Sequence, residues 1–244
     1  RWRQEEEEKE EHQLGREQRQ VRLLCQNVWN SFFAGGPRRL ARLEALREYV
    51  EAHNVDIVVA QEMFCFGLGP AADAGEADRF GTWMAELGLR HQTTPAASLP
   101  LLGQNSGLAV YSRFPIVEEC GASFEQRRAL SAKGWQEVRV NLRHGANTSN
   151  GSSGDGFGTQ VCGGRSLADG SQGHDSPCEL LLLNTHLEHA HTDRWRDVRR
   201  SQWTQVADRA AAATRQAGGR PLVAVLGDFN IGEHAPGRGA QELP

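Results

Sequence analysis

Four short apolar runs in this chain each end on residues able to meet a metal ion or a phosphate, and this pattern constrains the fold more than any other feature. The runs are residues 21–30 (VRLLCQNVWN), 55–62 (VDIVVAQE), 179–189 (ELLLLNTHLEH) and 222–226 (LVAVL). Apolar runs of this length, bounded by turn residues, read as buried strands. They carry Asn27, Glu62, His186 and, just past Gly227, Asp228 and Asn230 to strand ends. In open α/β sheets ligands gather at that edge. Gly227 is read as the end of the last strand. If extended geometry continues beyond it, Asp228 and Asn230 point to the same side, because side chains alternate along a strand.

The chemistry of the five is mutually consistent. A carboxylate such as Glu62, with waters and a phosphate oxygen, is a common Mg2+ arrangement, because Mg2+ keeps several of its waters. His186 can donate to a phosphoryl oxygen and stabilise charge in the transition state. Asp228 and Asn230 can position or activate a water, or protonate a leaving group. Plainer roles stay open for each residue alone: Asn27 as a turn cap, Glu62 as a strand end. The cluster of histidines in and after THLEH suggests zinc. Alternation, however, puts His186 and Glu188 on one face and His189 on the other, which disfavours it.

Between these runs the pattern is βαβα, then strands without intervening helices, then βαβ. Leu40, Leu43, Leu46 and Val50 recur at helical spacing over 37–53, with Pro37 in the first turn. A second helix is expected over 78–87, burying Phe80, Trp83, Met84 and Leu87, and a third from Asp193 to about residue 217. Residues 106–112, 116–124 and 135–142 read as consecutive antiparallel strands. The fold expected is α/β, a pair of mixed sheets covered by helices on both outer faces. Two segments stand apart. Residues 1–20 are charge-dense and read as a solvated helix or disordered lead-in. Residues 144–178 hold nine glycines and six serines in 35 positions and read as an insert in a single domain spanning 21–244.

Composition narrows the partners. A net charge of -4 and a pI near 6.2 give no basic footprint, so no stable nucleic-acid partner is expected. Cys25, Cys65 and Cys120 lie in or beside apolar runs and read as reduced core thiols. Cys162 and Cys178 leave a disulfide open. No apolar stretch approaches the roughly 18 to 20 residues of a membrane span, and no signal peptide is visible. The chain begins with Arg1 rather than Met, so it reads as a piece of a longer protein.

QNVWN, AQE, SGLAVYSRFPI, NTHLEH and GDFNI, in that order, resemble the successive motifs of the magnesium-dependent endonuclease/exonuclease/phosphatase superfamily. NSGLAVYSRFPI (105–116), ALSAKGW (129–135) and VRRSQ (198–202) make the chain similar to the neutral sphingomyelinases within it. The resemblance implies a deoxyribonuclease I-like four-layer α/β/β/α sandwich. It also implies an Mg2+-dependent phosphodiesterase that cleaves sphingomyelin to ceramide and phosphocholine; the alternatives are another phosphatase or nuclease of the superfamily, or a non-catalytic copy. Glu62 would hold Mg2+, and Asn27 would neighbour metal and phosphate. His186 would be the transition-state donor, Asp228 and Asn230 would handle water and leaving group, and Lys133 would lie near the site. The substrate would be a phospholipid at a membrane surface, with the protein membrane-associated or at the cytoplasmic face. Two departures stand out. The terminal Asp-His motif of such enzymes is not visible after Asn230, where His234 is the only histidine, so the general base and part of the second sheet are expected to be missing and this chain alone inactive. Arg128 replaces the Asp expected before Ala129-Leu130, so the contact of Lys133 is expected to be rearranged or absent.

Overall fold

The computed structural model describes residues 20–30, 38–64, 75–93, 105–127, 133–142, 179–189, 192–216 and 222–231. Residues 1–19, the 144–178 insert, Arg128, Cys65, Cys162, Cys178 and His234 lie outside them, and the expectations placed there with them. Along the chain run β1 (Leu23–Asn27), α1 (Arg39–Ala52), β2 (Ile57–Gln61), α2 (Gly75–Glu86), β3 (His91–Gln92), β4 (Ala109–Ser112) and β5 (Ile116–Ser123). Then come β6 (Gly134–Asn141), β7 (Glu179–His186), α3 (Asp193–Gln216) and β8 (Leu222–Asp228).

These strands form two four-stranded sheets, ordered β1-β2-β4-β3 and β5-β6-β7-β8. Each is mixed: β1–β2 and β7–β8 pair parallel, and the remaining pairs are antiparallel. The second sheet thus has as many strands as the first. Among the described residues the second sheet is therefore not short of strands beside the first, as the missing motif led one to expect it to be.

Period-2 alternation explains why the strands are apolar on both faces. On β2, Ile57 and Val59 face the second sheet, while Val58 and Ala60 face the helices. On β7, Leu180 and Leu182 face the first sheet, whereas Leu181 and Leu183 pack with Val206 and Ala213 of α3. Three apolar layers result, one under α1 and α2, one between the sheets and one under α3. Helix, sheet, sheet and helix follow as four layers.

Several boundaries differ from those read in the sequence. Residues 105–108 are not strand: Gly107 takes φ +70, and its N–H donates to Asn105 Oδ1 at 3.1 Å. β8 does not stop at Gly227 but continues through Asp228. A side chain at Gly227 would run into the Thr185 carbonyl of β7, so close strand approach, rather than chain termination, requires the glycine.

The end of the sandwich opposite the strand ends is pinned by Asp56. Its Oδ2 accepts the Arg22 N–H at 3.0 Å and its Oδ1 accepts Arg113 Nε at 3.2 Å. Asp56→Ala should therefore lower stability by about 1–2 kcal/mol, the charge-assisted bonds being partly discounted for solvent. A reduced urea midpoint at unchanged slope would register it; an unchanged midpoint would show that the pin contributes nothing.

Candidate active site

Parallel pairing at one edge of each sheet assembles the site. In the first sheet Asn27 lies opposite Gln61, the residue before Glu62; in the second, His186 lies opposite Asp228. The two sheets then bring these strand ends face to face. Asn27 Nδ2 donates to Glu62 Oε1 at 2.9 Å and to Asp228 Oδ2 at 2.7 Å, while Asn27 Oδ1 accepts the Trp29 N–H at 2.9 Å. The resemblance gives Asn27 to the metal, but here its oxygen is turned away and its amide nitrogen clamps two carboxylates.

His186 Nε2 stands 3.7 Å from both Glu62 Oε1 and Asp228 Oδ2. These contacts are not salt bridges, because the imidazole is neutral at physiological pH. Burial first, then the Lys133 ammonium, push its pKa down to about 3, against the pull of Asp228. Lys133 Nζ donates to His186 Nε2 at 2.8 Å and to the Leu187 carbonyl at 2.6 Å, with Glu188 Oε1 4.0 Å away. Of the two expectations for the Lys133 contact, rearranged or absent, the first describes it: its partners here are His186 and the Leu187 carbonyl. Because Nε2 accepts from Lys133, the imidazole proton belongs on Nδ1, which is buried with no hydrogen-bond partner among the described residues.

Asp228 is a carboxylate well below neutrality. Burial alone would raise its pKa, but the bonds from Asn27 and the Asn230 N–H outweigh it, helped by His186 and Lys133, and the net shift is downward. Asn230 does not continue the strand. It takes φ 51, folds its N–H onto Asp228 Oδ1 at 2.9 Å and donates from Nδ2 to the Leu187 carbonyl at 2.8 Å. Phe229 between them packs edge-on against Trp203 of α3, which anchors the turn. Asn230 thus meets Lys133 on one shared carbonyl instead of standing beside Asp228. Positive φ also marks Trp29 (48) and Glu62 (57), so backbone strain gathers at the strand ends that form the site.

Glu62, His186 and Asp228 offer ligand atoms within 4.8 Å of one another. Two partly buried carboxylates, 19% and 27% exposed in their side chains, suit a hydrated divalent cation held by one or two carboxylates. The sequence reading gave no role of their own to Gln61 and Asn184, buried amides between the sheets, or to Arg199 and Gln202, buried on α3. Gln202 Oε1 accepts the Glu188 N–H at 2.9 Å and Gln202 Nε2 donates to the Gln126 carbonyl at 2.8 Å, so VRRSQ fastens the segment after His186.

Fold and site together define a two-sheet α/β sandwich with Glu62, His186 and Asp228 gathered across its strand ends. The chain belongs to the Endonuclease/Exonuclease/phosphatase family, whose model matches residues 26–241; members of this family are hydrolases of phosphodiester or phosphate bonds. No curated protein matches the sequence. Among solved structures it is similar to sphingomyelinase C from Streptomyces griseocarneus, at TM-score 0.61 and 17% identity over 88% of this chain and 66% of that one. It is similar also to a mutant beta toxin from Staphylococcus aureus with bound magnesium ions, at TM-score 0.59 and 15% identity over 88% and 66%. A third is an endonuclease/exonuclease/phosphatase from Beutenbergia cavernae DSM 12333, at TM-score 0.58 and 18% identity over 88% and 49%. The chain thus spans between about half and two thirds of these three structures. At such identities the likeness establishes the fold.

Proposed function

We propose that this chain is the hydrolytic domain of an Mg2+-dependent phosphodiesterase that cleaves sphingomyelin to ceramide and phosphocholine. The observation that carries the reading is the cross-sheet cluster of Glu62, Asn27, Asp228 and His186, closed on one side by Lys133. Glu62 and Asp228 would hold the Mg2+ ion, whose charge would offset that of the phosphoryl group. Lys133, held by His186 Nε2, places positive charge and N–H groups where the equatorial phosphoryl oxygens gain charge during attack. The ionised Asp228 orients the attacking water as a hydrogen-bond acceptor. Water adds to phosphorus in line, the bond from phosphorus to the ceramide oxygen breaks, and the proton lost by water is balanced by one gained at the ceramide hydroxyl. NSGLAVYSRFPI and ALSAKGW support the lipid substrate, and net acidity disfavours a nucleic-acid one. The substrate would be met at a membrane surface; among the described residues no helix is long and apolar enough to cross one.

The test is phosphocholine release from sphingomyelin vesicles by the protein carrying this chain, with Mg2+ and then with EDTA. Bis(p-nitrophenyl) phosphate serves as a parallel substrate. Mg2+-dependent phosphocholine release is expected. Turnover of the small diester without any of sphingomyelin would move the assignment to another hydrolase of the family.

A further inference from the structure

The site is assembled from two sheets: Asn27 and Glu62 belong to one, His186, Asp228 and Asn230 to the other. The layer between the sheets is largely apolar, built from Ile57, Val59, Val110, Val138, Leu180 and Leu182 among others. Apolar burial is non-directional and does not by itself set a lateral position. Two of the buried amides in phase with that layer, Gln61 and Asn184, bond across it. Gln61 is 1% exposed and Asn184 is fully buried. Gln61 Nε2 donates to Asn184 Oδ1 at 2.8 Å, and Asn184 Nδ2 reaches back to the Ala60 carbonyl at 3.0 Å and the Ala109 carbonyl at 3.4 Å. Buried amides are costly unless paired, and a slide of one sheet over the other would break all these bonds. The sheets are therefore held at the one offset that satisfies them.

The position of this tie matters. Gln61 immediately precedes Glu62. Asn184 lies two residues before His186 and opposite Leu226, itself two residues before Asp228. We infer that Gln61 and Asn184 are positioning residues that fix the separation between the Glu62 and the His186–Asp228 halves of the site. The inference rests on the metal-dependent hydrolysis proposed above and adds the device that sets its spacing. The plainer account, that the pair only adds core stability, predicts that a variant of equal stability lost elsewhere in the same layer would behave alike.

Gln61→Met keeps volume and removes the amide, and Val59→Ala, on the same strand and facing the same layer, supplies the matched loss of stability. Mg2+ affinity by calorimetric titration, kcat on bis(p-nitrophenyl) phosphate and melting temperature are read for each. Loss of a group that orients a metal ligand costs about 10- to 100-fold in affinity or activity, and Gln61→Met should show it. Val59→Ala, at a similar melting temperature, should keep both values. Equal behaviour of the two variants would overturn the inference. If Gln61→Met does not fold, Asn184→Asp replaces it, because it keeps the acceptor for Gln61 and loses the donor to Ala60. Failure of both to fold would make the tie a folding requirement and also overturn it. The native protein is titrated first: Mg2+ binding without sphingomyelin cleavage would sink the substrate reading alone, and the two variants would still judge the tie.

Discussion

Glu62→Gln should reduce Mg2+-supported hydrolysis by roughly 100-fold or more while leaving the melting temperature of the metal-free protein no lower. The lower bound follows from scale. Removing a group that merely orients a ligand costs about 10- to 100-fold, and Glu62 would be a ligand itself, one of two carboxylates facing the same gap. An amide supplies no charge to an Mg2+ ion that prefers carboxylate oxygen. The substitution is otherwise quiet. Glutamine can take the same left-handed backbone strain, and its carbonyl can still accept Asn27 Nδ2, which donates to Glu62 Oε1 at 2.9 Å. It also relieves the crowding of two negative groups around Asn27, so the metal-free fold has nothing to lose. The measurement is a Mg2+ titration of rate, paired with calorimetry. An unchanged Mg2+ dependence would remove Glu62 from the metal and with it the proposed chemistry.

How much of this site was legible in the sequence depended on the periodicity of each residue. Asn27, Glu62, His186 and Asp228 end apolar runs, and a strand that must bury both faces leaves its polar residues at the edge, so position alone exposed them. Gln61 and Asn184 carried a signal that was not read: they fall in phase with Ile57 and Val59, and with Leu180 and Leu182, inside the inter-sheet layer. A polar residue in a buried phase implies a buried partner. The side chain of Asn230 was misplaced because extended geometry was continued past β8, whereas Asp228 Oδ1 captures its N–H in a local turn that competes with the strand. The two-residue β3 offers no periodicity at all and exists only because β4 presents an edge. Lys133 was visible only by resemblance. Its role as the partner of His186 arises from the packing of β6 beside β7, a contact between residues 53 positions apart.

That contact leads to the second large effect. His186→Asn should lower kcat by about 10²- to 10³-fold, because Nε2 is the acceptor that aims the Lys133 ammonium and this is the range found when one donor to a developing oxyanion is lost, with a much smaller change in Mg2+ affinity. Lys133→Met should cost a similar factor, because it removes the ammonium that His186 Nε2 holds toward the phosphoryl oxygens. His186 is 2% exposed and Lys133 9% in their side chains, and the 2.8 Å bond between them binds an ammonium to a neutral ring. Residues working as a unit lose less together than the sum of their separate losses. The double variant should therefore fall well short of the product of the two factors, with a coupling of about 0.5–3 kcal/mol as for groups in direct contact. A second readout separates this from misfolding. The Lys133 ammonium is one of the causes holding the His186 pKa at about 3, so Lys133→Met should raise it, visible in the imidazole carbon shift of the metal-free protein. Strict multiplicativity of the two losses, with no movement of the imidazole titration, would show that Lys133 and His186 act independently and that the bond between them does not contribute to the chemistry.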